Sequence, residues 1–146
     1  MKIPIQNAKN GSFLFLLLIC FLTLKTKAQE SPVIADGAKL KLVSNQFSFT
    51  EGPAVDKDGN IFFTDQPNNK IWEYHKDGKL SLFMDHTGRS NGMYFDQQGN
   101  LITAADKNDQ LWSISPRKKV TVLVKNFKGH RLNGPNDLWI DPKGGI

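Results

Sequence analysis

TEGPAVDKDGNIFFTD, residues 50–65, reads as a strand, a turn and a second strand. Glu51 stands before Gly52-Pro53, and Ala54-Val55-Asp56 begins an extended run. Lys57-Asp58-Gly59-Asn60 is a turn signal, because Gly59 takes a positive φ without a Cβ clash. Ile61-Phe62-Phe63-Thr64-Asp65 is rich in aromatic and β-branched side chains, as a returning strand should be. The unit recurs. Residues 91–96, 97–100 and 101–103 repeat it, and residues 136–141 with 142–146 form a third copy. Glu51, Asn91 and Asn136 hold one and the same position in the three copies.

A second signature keeps the same period. Residues 39–43 (KLKLV) alternate polar and apolar, and the pattern returns at 79–83 and 119–123, 40 residues apart each time. A repeat of about 40 to 45 residues built from short strands marks a β-propeller. One copy parses into strands at 54–56, 61–64, 70–74 and 79–84. The next parses into 92–95, 101–104, 110–114 and 120–124. The expected fold is therefore all-β, a β-propeller of four-stranded antiparallel blades. Trp72 and Trp112 match in register and are expected to pack blade against blade. Residues 39–43 have no blade of their own and are read as a closing outer strand. A propeller needs about 4 to 8 blades to close. About two and a half are present here, so the chain reads as the N-terminal part of a longer protein. Alone it is expected to be poorly soluble, with an uncovered sheet face.

Residues 1–28 read as a signal peptide. Lys2 and Lys9 precede an apolar run over residues 12–24, which suits a signal core and is short for a bilayer span. Thr26-Lys27-Ala28 supplies a cleavage site. Ile19 stands before Cys20 where a lipobox needs a small residue, which argues against lipidation. Residues 29–38 are a loosely ordered leader, and 39–146 the incomplete propeller. Export implies a periplasmic or secreted protein, with no membrane attachment after cleavage. The signal takes four of the 19 basic residues and none of the 14 acids, leaving 15 against 14. The basic pI thus belongs to the leader, and nucleic acid is not an expected partner. Cys20 leaves as well, which excludes disulfides and thiolate chemistry from the mature chain.

In a propeller the first strand of each blade lines the central channel, so Glu51, Asn91 and Asn136 should converge near the axis. One carboxylate with amide oxygens suits a hard cation such as Ca²⁺, or another divalent cation, better than zinc. The plainer reading is that Asn or Glu before a strand only forms a turn. Asp56-Lys57-Asp58-Gly59 superficially suggests a calcium loop. Pro67 stands where that loop needs Glu, so it is read as a hairpin turn. His75 falls on a strand away from the repeat starts. His86 and His130 lie in loops before Asn91 and Asn136. The linker before the third copy is about five residues longer than its predecessor and carries His130-Arg131-Leu132-Asn133.

FTEGPAVDKDGNIFFTD and RLNGPNDLWIDPKGGI, with SNGMYFD between them, resemble the gluconolactonase, senescence-marker-protein and LRE-like family. The resemblance covers about residues 44–146. It implies a six-bladed, calcium-dependent propeller that hydrolyses a small-molecule lactone and is a monomer when full length. It also implies metal ligation by Glu51 of EGP and by Asn136 of PND. Arg131 and Asn133 would contact substrate, and Asn91 would line the channel behind the metal ligands; Asn91, and His130 from its loop on the same rim, are also expected substrate contacts. The family's further asparagine ligand and its aspartate base have no counterpart here, so no catalytic base is assigned and the chain alone is expected to be inactive. The rival readings are a phosphotriesterase-like hydrolase on the same scaffold and a non-catalytic sugar-binding propeller.

Overall fold

The computed structural model describes Ala35 and residues 37–146. The signal expected at 1–28, Cys20 included, and most of the leader lie outside the described residues. Within the unit Met1–Lys41, the described residues hold one turn, in which Ala38 N–H donates to the Ala35 carbonyl at 3.0 Å. All the described strands lie in the compact unit Leu42–Ile146.

Eight strands make two sheets. β1 (Thr50–Val55), β2 (Ile61–Asp65), β3 (Lys70–Tyr74) and β4 (Leu80–Asp85) pair in chain order to form blade 1. β5 (Ser90–Phe95), β6 (Leu101–Ala105), β7 (Gln110–Ile114) and β8 (Val120–Val124) do the same in blade 2. All pairings are antiparallel. The register irregularities recur: those at Glu51/Ala54 and Ser90/Met93 are offset by one residue in the repeat, and Ile71/Trp72 matches Leu111/Trp112. The chain is thus part of a β-propeller, as its repeats require.

The first hairpin turn of each blade is built by one aspartate. Asp56 Oδ1 accepts from the N–H groups of Asp58 (2.9 Å) and Asn60 (2.8 Å), and Oδ2 from Asn60 Nδ2 (2.9 Å). Asp96 does likewise for Gln98 (2.9 Å) and Asn100 (2.8 Å for both its groups). Burial alone would raise the Asp56 carboxyl. The bonds from the Asn60 side chain and from the backbone of Asn60, Asp58 and Gly59 outweigh it and hold the group below its ordinary value. These carboxylates are occupied by the turn, which agrees with a hairpin and not with a calcium loop.

Ala54, Phe62, Ile71, Met93, Leu101 and Ile114 form the buried core. Phe62 joins the blades, edge-on to Phe83 of β4 and to Phe95 of β5, with 5.0 Å between ring centres in both pairs. Burying a side chain such as Ile71 or Leu101 stabilises by about 1.5–3 kcal/mol.

Three expectations are corrected. Residues 39–43 form no strand: Leu40 and Leu42 are exposed, and alternation without a partner edge leaves the backbone N–H and C=O groups in water. Residues 136–140 are not a strand either. The turn after them closes all the same, with Asp141 Oδ1 accepting from Lys143 (2.7 Å) and Gly145 (2.8 Å). The tryptophans pack on the segment leading into their own blade. Trp72 meets Phe47 at 5.4 Å, and Trp112 lies against Gly88. Phe62 supplies the blade-to-blade contact assigned to them.

Candidate functional site

The repeat starts stack backbone to backbone. The bulge at the head of β1 places Gly52 at φ +56, where a Cβ would run into the Asn91 carbonyl oxygen and stand 3.0 Å from the Gly92 Cα. A Cβ on Gly92 would strike the Asp137 carboxylate and lie 2.8 Å from its Cα. Gly92 N–H donates to the Asn136 carbonyl at 2.7 Å. Glycine is required at both positions by this close approach, so Glu51, Asn91 and Asn136 belong to one cluster although they are distant in sequence. A cleft of about 180 Å³ opens there, lined by Glu51, Pro53, Met93, Asn136, Asp137 and the two glycines.

Two features of the cluster point to a missing partner. Asn91 Oδ1 is buried and has no hydrogen bond among the described residues. An orphaned buried acceptor costs about 1–3 kcal/mol. Glu51 offers its main-chain carbonyl to Thr64 Oγ1 at 3.0 Å. Its carboxyl is pushed up first by burial, then by the negative charges of Asp106 and Asp137. A cation would relieve both. The donor chemistry fits one side of an oxygen-ligated hard-cation site: Glu51 supplies charge, and Asn91 and Asn136 supply neutral oxygens. Among the described residues no three His, Cys, Asp or Glu side chains converge on one point, so the described set is incomplete as an acidic cage.

The other expected site residues stand apart from the cleft. Arg131 is 78% exposed, and its Nη2 lies 2.6 Å from Asp109 Oδ2. His130 closes a tight turn with Phe127, through backbone bonds of 2.8 and 2.9 Å, and is exposed. Asn133 is exposed with a left-handed φ of 60°. His86 is exposed beside Asp85, and His75 meets Ser81 Oγ at 3.1 Å.

Three acids escaped the sequence reading. Asp137 lines the cleft, Asp106 charges Glu51, and Asp109 holds the linker into the third copy. Repeat alignment carries a signal for the first, since Asp137 occupies the register of Gly92. A larger cavity of about 760 Å³ opens at the opposite rim, floored by Phe62, Phe83, Phe95, Leu101 and Ile114. No repeat-start residue lines it, and the carboxylates of Asp56 and Asp96 at its edge are already bonded within their turns.

Antiparallel four-stranded blades define part of a β-propeller, and the repeat-start oxygens gather where the first strands of its blades begin. The chain belongs to the SMP-30/gluconolactonase/LRE-like family, whose model matches residues 49–146. A gluconolactonase of Zymomonas mobilis subsp. mobilis is 27% identical over 122 residues, covering 73% of this chain and 34% of the relative. A solved structure described as a candidate gluconolactonase is 31% identical with a TM-score of 0.69, covering 75% of this chain and 38% of that one. A gluconolactonase structure from Xanthomonas campestris is 25% identical with a TM-score of 0.67, covering 70% and 35%. The chain therefore spans about a third of the length of these relatives.

Proposed function

We propose that this chain carries part of the site of an exported, divalent-cation-dependent lactone hydrolase. The observation that carries the reading is the buried, unpartnered Asn91 Oδ1 in the Glu51 cluster, in a chain of the gluconolactonase family. Glu51 would hold the cation through its carboxylate, and Asn91 and Asn136 would add neutral oxygens. When bound, Ca²⁺ supplies Lewis acidity to a lactone carbonyl oxygen. Asp106 and Asp137 deepen the negative potential that draws the cation in. Pro53 and Met93 give the cleft an apolar wall that limits water around it. No described residue is assigned as the base that takes the proton of the attacking water. The substrate class rests on the names of the relatives, and export rests on residues 1–28.

Calorimetric titration of the intact protein with Ca²⁺, paired with hydrolysis of a sugar lactone before and after chelation, tests the reading. Saturable binding and chelator-sensitive turnover are expected. A protein that ignores Ca²⁺ and turns over lactone equally in chelator would overturn it. N-terminal sequencing of exported protein should begin near Gln29, and a start at Met1 would remove the export reading.

A further inference from the structure

In each blade the turn between the second and third strands closes on a corner residue with a left-handed backbone. In blade 1 it is Asn69 (φ 58), and in blade 2 it is Asp109 (φ 53), 40 residues on. Both reach across to the segment that leads into the next repeat. Asn69 Oδ1 accepts from Arg89 N–H at 2.6 Å and Asp109 Oδ1 from Gly134 N–H at 2.8 Å. Arg89 lies two residues before Asn91, and Gly134 two before Asn136. One latch is thus used twice, across linkers of different length.

The second latch differs in charge, and its second arm is an arginine where Asn69 Oδ1 has the Thr87 hydroxyl at 3.4 Å. Asp109 is 9% exposed, and its Oδ2 also takes the Arg131 guanidinium at 2.6 Å. The extra length of the third linker is therefore pinned at two points on one carboxylate. Asp106, at the start of the same corner, stands where a Cβ on Gly134 would meet its Oδ1 at 2.8 Å. Residues 131–134 are held from below, and Asn136 and Asp137 follow directly.

We propose that Asp109 is the positioning residue of the site: it fixes where Asn136 and Asp137 arrive beside Glu51, with Arg131 bound to its second oxygen. The proposal deepens the cation reading above and rests on it for its consequence, while the latch itself is independent of any ion. Asp109→Gly accepts the left-handed φ and removes both bonds. Asp109→Asn keeps an acceptor for Gly134, as Asn69 does for Arg89, and removes the charge that Arg131 meets.

The test compares these two variants with Arg131→Gln in the intact protein, reading Gly134 amide exchange and Ca²⁺ affinity. In Asp109→Gly, Gly134 exchange should rise and Ca²⁺ affinity fall, each by about tenfold, as expected for one lost buried hydrogen bond. Asp109→Asn and Arg131→Gln should stay within about threefold of the parent in both readings, since the Gly134 bond survives in each. Rescue by Asn is what a merely structural acid would not show. Asp109→Gly matching the parent in both readings would overturn the proposal. Asp109→Asn as damaged as Asp109→Gly would also overturn it, because charge alone would then be at work. If the parent ignores Ca²⁺ while Asp109→Gly still speeds Gly134 exchange, the latch stands and the cation reading falls.

Discussion

Blade 1 and blade 2 are close copies at one rim and differently wired at the other. At the rim of the first hairpin turns, Asp56 and Asp96 make the same bonds to the same partners, at distances that agree within 0.1 Å. At the rim of the repeat starts the copies part. Blade 1 ends β2 in Asp65, buried and bonded to Ser48 N–H (3.1 Å), Phe49 N–H (3.3 Å) and Asn68 Nδ2 (2.8 Å). The equivalent in blade 2 is Ala105, also buried. A neutral corner at Asn69 becomes a charged one at Asp109. One rim maintains the repeat, and the other carries what distinguishes the copies, which is where a site belongs.

The largest expected effect separates the two rims by glycine. Gly92→Ala should cost about 3 kcal/mol, because its Cβ would strike Asp137 and the backbone cannot retreat. Gly59→Ala and Gly99→Ala have positive φ and open space around them, so each should cost about 1 kcal/mol from backbone conformation alone. Urea midpoints compare them, and equal losses at both rims would break the distinction.

Next come the charged and neutral members of the cluster. Glu51→Gln should lower Ca²⁺ affinity by about a hundredfold, and Asn91→Ala by about tenfold, since a carboxylate gives a hard cation charge where an amide gives a dipole. Without metal, Asn91→Ala should hold or raise the thermal midpoint, because it removes a buried acceptor that has no partner. A clear metal-free loss at Asn91 would make it a structural residue.

A smaller effect tests the copied rim. Asp56→Ala and Asp96→Ala should each cost about 1–2 kcal/mol and agree within about 0.5 kcal/mol. The smallest is a pH slope. The folded Asp56 carboxyl lies below its ordinary value, so its contribution is complete above about pH 4 and is lost as pH falls through the folded value. Asp56→Ala should flatten the acid side of the stability profile, and an unchanged slope would remove Asp56 from it.

Strands and turns were legible in the sequence because their causes are local. Gly59, Gly78 and Gly99 mark turns that the structure keeps, and 110–114 and 120–124 are strands at the expected bounds. Residues 39–43 misled because alternation records a face and not a partner. The gathering of Glu51, Asn91 and Asn136 followed from register alone. Asp109 and Asp106 were not legible: their role depends on which linker folds back onto them, and that is set by tertiary packing. Arg131 lies on the long linker, and its side chain meets Asp109, a contact that no local pattern records.

The Asp141 turn carries one further consequence. It closes with Asp141 N–H donating to Gly145 O at 2.8 Å, the bond that Asp56 and Asp96 N–H make to Asn60 O and Asn100 O in the two blades. Five residues thus fix their own turn through local bonds. Such a turn forms on the microsecond timescale of hairpins, far faster than residues leave the ribosome. Each blade can therefore be seeded at its first bend during synthesis, with the correct pairing chosen before a competing edge emerges.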